Sequence, residues 1–178
     1  MNAGRPTPVI GIAGWKKSGK TTLSVRLIEE FARRGIRVAT VKHAHHNFQI
    51  DDAETDSARH RRAGAAQVAI VSRHRWAMVR ELRGASEPEL AEVIAWLDPC
   101  DLVLVEGYKF AEIPKIEVRR SAALNREPLA GEVPNVIAIA ADHAVDASGL
   151  PTFALDDIGG ITDFIASALG VAATPAKT

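Results

Sequence analysis

The chain has 178 residues, of which 47% are hydrophobic and 25% charged, a composition that predicts an ordinary globular protein with one sizeable core. Lysine plus arginine equals aspartate plus glutamate at 22 each, so the overall charge argues against a nucleic acid or an anionic membrane as a partner. The single cysteine, Cys100, excludes an intrachain disulfide and a zinc site built from several cysteines.

Strand-like and helix-like patterns alternate along the chain, which predicts an α/β fold with a mainly parallel sheet. The predicted strands are 9–13, 36–42, 67–72, 76–80, 101–106, 113–119 and 136–140. The predicted helices are 21–34, 57–63, 87–97 and 158–169. The strands 67–72 and 76–80 are close enough in sequence to pair, so we expect an antiparallel hairpin as an extension of the fold.

The pattern contains neither an internal repeat nor a linker, so it predicts a single nucleotide-binding domain over residues 1–170. The small and polar residues 171–178 are expected to form a disordered tail. Residues 1–8 lack the apolar region of a signal peptide, and no apolar run approaches the roughly 20 residues that span a bilayer. We therefore expect a cytoplasmic protein without a membrane partner.

A glycine-rich motif lies between the first predicted strand and the first predicted helix. Residues 14–21 fit the pattern G-x-x-x-x-G-K-[ST]. Its glycines let successive backbone N–H groups point at phosphate oxygens, next to the positive end of a helix. Lys20 would reach the β- and γ-phosphates, and the Thr21 hydroxyl would bind Mg²⁺. The strand–loop–helix setting predicts a three-layer P-loop NTPase fold whose triphosphate contacts are Gly14, Trp15, Lys16, Lys17, Ser18, Gly19, Lys20, Thr21 and Thr22.

A second element of this site follows the apolar strand 101–106. Glu106 and Gly107 come where the carboxyl end of a parallel strand would meet the ligand. A carboxylate there can hold Mg²⁺ or polarise an attacking water, and Gly107 would let the backbone pass close to the γ-phosphate. Lys20 and Glu106 are therefore the candidate catalytic residues. Asp101, at the start of the same strand, is expected to be a solvated residue at the far end of the sheet.

A loop rich in histidine and aspartate follows the second predicted strand. If that strand is parallel to the first, the loop leaves the same edge of the sheet as the glycine-rich motif and can contact the nucleotide. His43, His45 and His46 lack the spacing of a familiar zinc motif, so nucleotide contact, local hydrogen bonding and a dedicated metal site all stay open. Asp51 and Asp56 are better candidates for Mg²⁺, because hard cations prefer oxygen.

The region after this loop is basic, and two interpretations stay open. An arginine-rich stretch can be an exposed helical face, or it can bind an anionic ligand, because guanidinium groups match the geometry of phosphate. The arginines concerned are Arg59, Arg61, Arg62, Arg73 and Arg75.

Asp142 is the candidate for recognition of the base. It follows the strand 136–140, where a carboxylate could accept hydrogen bonds from the N1 and N2 protons of guanine. Adenine has no such pair of donors, so an acid there would select against ATP. The Asn-Lys-x-Asp signature of many GTPases is absent from the sequence, so these residues alone leave the base open.

Several motifs together resemble those of the molybdopterin-guanine dinucleotide biosynthesis protein B (MobB) family. They are residues 14–23, the segment 41–46 with Asp51 and Asp56-Ser57, Ala63-Gly64-Ala65, Arg75-Trp76-Ala77, and the segment 104–109. The resemblance covers about residues 9–169 and implies a GTP-binding protein that uses Mg²⁺, with weak GTPase activity and a homodimeric state. It also implies an adaptor of the guanylyltransferase that joins GMP to molybdopterin, and leaves molybdopterin or its guanine dinucleotide as a further ligand. It favours guanine, with Asp142 as the residue that recognises it.

Two other functions stay open. A small-molecule kinase uses the same glycine-rich loop together with an arginine-rich lid, for which Arg59, Arg61 and Arg62 are the candidates. A metal-insertion GTPase would carry its ion on the histidine loop. The sequence contains no evident arginine finger or catalytic glutamine, so hydrolysis is expected to be slow.

Overall fold

The computed structural model describes residues 6–44, 48, 50, 54–147 and 149–172. The strands are β1 Val9–Ala13, β2 Val38–Lys42, β3 Gln67–Val71, β4 Trp76–Arg80, β5 Leu102–Glu106, β6 Lys115–Arg119, β7 Val136–Ala141 and β8 Thr152–Ala154. The helices are α1 Lys20–Arg33, α2 Asp56–Arg62, α3 Leu90–Ala95 and α4 Ile158–Leu169. The chain forms two compact units, of which the second is Ala44–Glu89 and the first contains the segments on either side of it.

The first unit is built on a parallel sheet with the strand order β2-β5-β1-β6-β7-β8. In the centre, β1 pairs with β5 on one side and with β6 on the other, for example Ile10 with Leu104 and Ile12 with Ile116. Because all six strands are parallel, their carboxyl ends meet at one edge of the sheet. The prediction of a mainly parallel sheet is confirmed.

Helices cover both faces of this sheet. On β5, Leu102 and Leu104 pack with α1 and α4, whereas Val103 and Val105 pack with α3. Successive side chains of a strand point to opposite faces, so this strand is buried on both sides and reads as a continuous apolar run. The three-layer α/β fold predicted from the sequence is confirmed.

Two charged residues of β6, Lys115 and Glu117, are buried and bonded to the segments that flank this strand. The Lys115 ammonium donates hydrogen bonds to the carbonyl oxygens of Ile113 at 2.9 Å and Pro134 at 2.8 Å, and to that of Ala111. Desolvation lowers the pKa of Lys115. Lys115 and Glu117 are each 1% exposed, and the Glu117 carboxylate accepts hydrogen bonds from the backbone of the segment 120–134. These bonds attach an irregular segment to the sheet.

In the second unit, β3 and β4 form the predicted antiparallel hairpin, with Val71 opposite Trp76. Helix α2 contacts β3 and begins at a Thr55 cap, whose side chain accepts a hydrogen bond from the Ala58 backbone at 3.4 Å. The Arg61 guanidinium donates to Glu81 at 3.0 Å. This arginine therefore supports the fold of the second unit.

One sequence expectation about the sheet is wrong. Asp101 is not solvated: its side chain is 2% exposed and accepts hydrogen bonds from the backbone N–H of Arg37 at 2.8 Å and from its guanidinium at 3.3 Å and 3.4 Å. The carboxylate thus joins the start of β5 to the residue that precedes β2. A partnered carboxylate can be buried at a position where an isolated one would remain in water.

Some element boundaries also differ from those predicted. Helix α3 begins three residues later than expected, because Pro88 disfavours helical geometry at Glu87. Strand β6 begins after Pro114. Strand β8 was not predicted, since three residues are too few to show a period.

After α4, the Val171 backbone N–H donates to the Ala166 carbonyl oxygen at 2.9 Å. Residues 173–178 of the predicted tail lie outside the described residues. The single domain and the disordered tail stay predictions. Within the described part of the chain, none of the helices combines the length and apolarity needed to cross a membrane.

Candidate nucleotide-binding site

A glycine-rich loop, residues 14–19, connects the carboxyl end of β1 to the first turn of α1. Gly14 has φ 154°, and a Cβ there would lie 2.5 Å from Ser18 Oγ and 2.7 Å from the Val118 carbonyl oxygen. Glycine is therefore needed for the loop to turn so closely. Gly19 is the N-cap of α1 and provides no side-chain cap. The first N–H groups of a helix lack partners within the helix, so this end is suited to an anion.

Lys20 folds back over the glycine-rich loop. Its ammonium donates hydrogen bonds to the carbonyl oxygens of Gly14 at 3.0 Å and Trp15 at 2.8 Å. Burial lowers the pKa of Lys20, the Glu106 carboxylate opposes this shift, and two neighbouring lysines add to it. The ammonium is thus partly desolvated among other cations, and a phosphate group in contact with it would relieve this unfavourable environment.

The carboxylate of Glu106 lies beside the first turn of α1. Thr21 Oγ1 donates a hydrogen bond to Glu106 Oε1 at 2.9 Å, and the Lys42 ammonium is 3.5 Å from the same oxygen. The pairing of β2 with β5 places Lys42 directly opposite Glu106. Two hard oxygen ligands are therefore adjacent, a donor set that fits Mg²⁺. Sequence reasoning did not single out Lys42, although the parallel strand ends were a signal for it.

Gly107 allows the turn after β5 to pass against His43. It has φ 97°, and a Cβ at this position would lie 2.8 Å from the His43 carbonyl oxygen and 2.9 Å from its Cβ. The His43 backbone N–H donates to the Glu106 carbonyl oxygen at 2.8 Å, and its ring is 5.0 Å from that of Tyr108. The glycine is therefore required by contacts within the protein. Its approach to a phosphate stays a prediction.

We expect Gly107→Ala to lower the free energy of unfolding by about 2–4 kcal/mol, because the new Cβ combines a strained φ with a backbone collision. Gly35→Ala is the matched control: its φ is 76°, and a Cβ there would meet nothing within 4 Å. It should cost about 1 kcal/mol, because a residue with a Cβ is strained in the left-handed conformation. Urea denaturation of both variants measures the difference. Equal losses of the free energy of unfolding would show that the collision at Gly107 does not contribute.

The side chain of Trp15 lies against the irregular segment 120–134. Its indole N–H donates to the Glu127 carbonyl oxygen at 2.7 Å, and the Lys109 ammonium is 3.9 Å from the ring centroid. Ser18 is buried, whereas Lys16 and Lys17 are exposed. The loop is thus anchored at Trp15, and its two lysines remain accessible.

Two adjoining cavities lie along the loop. The smaller, about 320 Å³, is lined by Lys17, Gly19, Lys20, Thr21, Thr22 and Arg120. The larger, about 670 Å³, shares Gly19, Thr22 and Arg120 and extends to Asp142 and residues 152–156. The two cavities therefore adjoin at these three residues. Sequence reasoning missed Arg120 and the β8 segment, because the strand order that brings them here cannot be read from local patterns.

Asp142 follows β7 directly and lines the larger cavity. Its carboxylate accepts hydrogen bonds from the Ser121 backbone at 2.7 Å and hydroxyl at 3.1 Å, and His143 Nδ1 lies 2.8 Å from Oδ1. The backbone hydrogen bond from Ser121 is the main reason why the pKa of Asp142 is lowered. The carboxylate is therefore ionised, and its oxygens retain lone pairs for further donors.

The remaining predicted ligands are the two aspartates and the histidines that follow β2. Asp51, His45 and His46 lie outside the described residues. Asp56 begins α2 in the second unit, where its carboxylate is 3.6 Å from Arg59. Among the residues that the structure describes, no three or more His, Cys, Asp or Glu side chains form a group able to hold a metal ion. The roles of the histidine loop and of both aspartates stay predictions.

A comparison with protein families decides what this chain is. The family model for "Molybdopterin guanine dinucleotide synthesis protein B", MobB, matches residues 9–142, a segment that contains the loop, Glu106 and Asp142. The chain belongs to this family. The resemblance of the motifs to MobB is thereby confirmed.

Among relatives of this MobB-family chain are two named molybdopterin-guanine dinucleotide biosynthesis adapter protein. That of Escherichia coli (strain K12) is 36% identical over 160 residues, which cover 89% of this chain and 91% of the relative. That of Haemophilus influenzae (strain Rd) is 39% identical over 142 residues, which cover 78% of this chain and 77% of the relative.

Solved MobB structures share the fold. A crystal structure of molybdopterin-guanine biosynthesis protein B has a TM-score of 0.70 at 29% identity and covers 90% of this chain and 99% of its own. The Bacillus subtilis MobB structure has a TM-score of 0.69 at 28% identity and covers 91% of this chain and 97% of its own.

Proposed function

We propose that this protein is a GTP-binding adapter of molybdopterin-guanine dinucleotide biosynthesis. Membership of the MobB family and the names of the relatives support the adapter role. One observation carries the nucleotide assignment: a cavity over the glycine-rich loop and Lys20 continues into a larger one that reaches Asp142. In this proposal the protein is a cytoplasmic homodimer, its partner is a guanylyltransferase, and molybdopterin or its guanine dinucleotide is a further ligand.

In this proposal the β- and γ-phosphates occupy the smaller cavity. Backbone N–H groups of the loop and of the first turn of α1 would donate to them, and Lys20 would move from two carbonyl oxygens to phosphate oxygens. Thr21 and Glu106 would hold Mg²⁺, which supplies positive charge to the phosphates. The ammonium of Lys42 beside Glu106 adds a cation from the same chain.

Hydrolysis of GTP is expected to be weak. Glu106 is the candidate catalytic carboxylate, but Thr21 and Lys42 both contact its Oε1, so this oxygen is already engaged within the protein. Most of the acceleration in phosphoryl transfer comes from positioned positive charge at the transition state. Nucleotide binding that orders a surface for a partner enzyme fits such a site better than rapid turnover.

Competition between nucleotides tests this proposal. With Mg²⁺ present, we expect GTP to displace a fluorescent GTP analogue at a concentration at least about 10-fold below that needed for ATP. Adenine would leave the Asp142 carboxylate without a donor, and the loss of one charged hydrogen bond costs about that factor in affinity. Equal displacement by ATP would contradict the choice of guanine, and no displacement by either would contradict a nucleotide site. An acceptor molecule that stimulates turnover would favour a kinase instead.

Asp142→Asn should lower GTP affinity about 10- to 100-fold, because a charged acceptor for the guanine N1 and N2 protons is lost. Xanthine carries a carbonyl where guanine carries the amino group, so the amide of the introduced asparagine can donate to it and XTP binding should improve. Asp156→Asn is the matched control, since Asp156 lines the same cavity. The same competition assay measures all three proteins, and unchanged GTP affinity in Asp142→Asn would rule out this base contact.

A further inference from the structure

Arg120 lies at the junction of the two cavities. It follows the last residue of β6 and lines both the 320 Å³ cavity and the 670 Å³ cavity. A Cβ built on Gly19, the N-cap of α1, would be 3.9 Å from the Cδ of Arg120. The arginine side chain therefore passes over the start of α1, between the loop and Asp142.

Within the described residues, the guanidinium of Arg120 makes few contacts with other side chains. Its Nε is 3.8 Å from Asp142 Oδ2, beyond hydrogen-bonding distance, and the side chain is 51% exposed. Arg119 next to it is used differently: its side chain is 9% exposed and donates to Glu117 at 2.8 Å and 3.0 Å and to the Asp146 carbonyl oxygen at 2.9 Å. Arg119 thus stabilises the fold, whereas the N–H donors of Arg120 are available to a ligand.

We propose that Arg120 binds the α-phosphate of the nucleotide. This inference rests on the proposed function: with the base near Asp142 and the terminal phosphates over Lys20, the part of the nucleotide between the cavities is the ribose and its α-phosphate. A planar guanidinium pairs well with phosphate oxygens. On binding, Arg120 turns from Asp142 to the phosphate, and Asp142 Oδ2, which also accepts the Ser121 hydroxyl, becomes accessible to the base.

This assignment separates the roles of Arg120 and Lys20. Arg120 acts on each guanine nucleotide that has a 5′-phosphate, including GMP and a dinucleotide that contains a GMP half. Lys20 acts on nucleotides with β- or γ-phosphates. The ratio of the affinities for GMP and guanosine therefore reports on Arg120 without a contribution from β- or γ-phosphates.

The experiment measures the binding of guanosine, GMP, GDP and GTP by displacement of a fluorescent GDP analogue, up to millimolar ligand. Wild type should bind GMP about 10- to 100-fold more tightly than guanosine, and in Arg120→Gln this ratio should fall about 10-fold, because charged hydrogen bonds to the phosphate are lost. Arg120→Lys should recover part of the ratio, because lysine keeps the positive charge but lacks the planar guanidinium that donates two hydrogen bonds at once. Lys20→Ala should keep the wild-type ratio while its GDP and GTP affinities fall.

Arg33→Gln is the matched control, since its side chain is 71% exposed and bonded to Glu30 on the surface of α1. It should bind all four ligands like wild type, and thermal unfolding should show that Arg120→Gln is folded. A wild-type GMP-to-guanosine ratio near one, or an unchanged ratio in Arg120→Gln, would overturn the inference. Wild-type protein that binds none of the phosphorylated ligands would overturn the proposed function instead.

Discussion

Lys20→Ala is expected to bind GTP at least about 100-fold more weakly than wild type. The ammonium can donate to both the β- and the γ-phosphate, and a hydrogen bond between charged groups contributes roughly 1.5–3 kcal/mol. Burial already lowers the pKa of this lysine, so part of its desolvation cost belongs to the folded protein and does not weaken binding. Isothermal titration calorimetry with GTP and Mg²⁺ measures the loss.

Lys16→Ala is the matched control for this change. The predicted phosphate contact of Lys16 uses its backbone N–H, which alanine keeps. Its side chain is exposed and lines neither cavity, so its charge should contribute a factor of about 5 or less. The thermal unfolding midpoint should change little in both variants, because Lys20 bonds two carbonyl oxygens of a partly exposed loop. GTP affinity in Lys20→Ala equal to that of wild type would refute the assignment of the loop to phosphate.

Much of the fold follows from local patterns in the sequence. The apolar run of β5 predicts a central strand covered on both faces, and the spacing of apolar residues predicts α4 at its observed bounds, Ile158–Leu169. Asp101 could not be placed correctly, since its partner Arg37 is distant in sequence. Burial of a charge depends on such a partner, and periodicity says nothing about it.

The site is predictable to the extent that its residues are consecutive or end parallel strands. The glycine-rich motif is a run of consecutive residues, so its loop can be predicted from the sequence. The position of Glu106 follows from the rule that ligands bind at the carboxyl ends of parallel strands. The presence of Lys42 and Arg120 at the site depends on which strands are neighbours and on where a long side chain lies. Both quantities come from the packed structure.

A second large effect is expected from Glu117→Ala, which should lower the free energy of unfolding by about 3–5 kcal/mol. The Glu117 side chain is 1% exposed and accepts hydrogen bonds from the Arg119 guanidinium and from the backbone N–H groups of Leu129 at 2.8 Å and Ala130 at 2.9 Å. Alanine would leave a buried guanidinium without its carboxylate and two N–H groups without acceptors. Each such loss is costly in an interior that water does not reach.

The consequence reaches the nucleotide site, because Leu129 packs on Ala13 at the end of β1 and Glu127 accepts the indole hydrogen bond of Trp15. Differential scanning calorimetry should show a decrease in Tm of roughly 6–20 °C for Glu117→Ala, and GTP affinity should fall as the loop loses its support. Glu132→Ala changes an exposed glutamate of the same segment and should leave both quantities as in wild type. A Glu117→Ala protein with the Tm of wild type would mean that the segment 120–134 is held in place without this carboxylate.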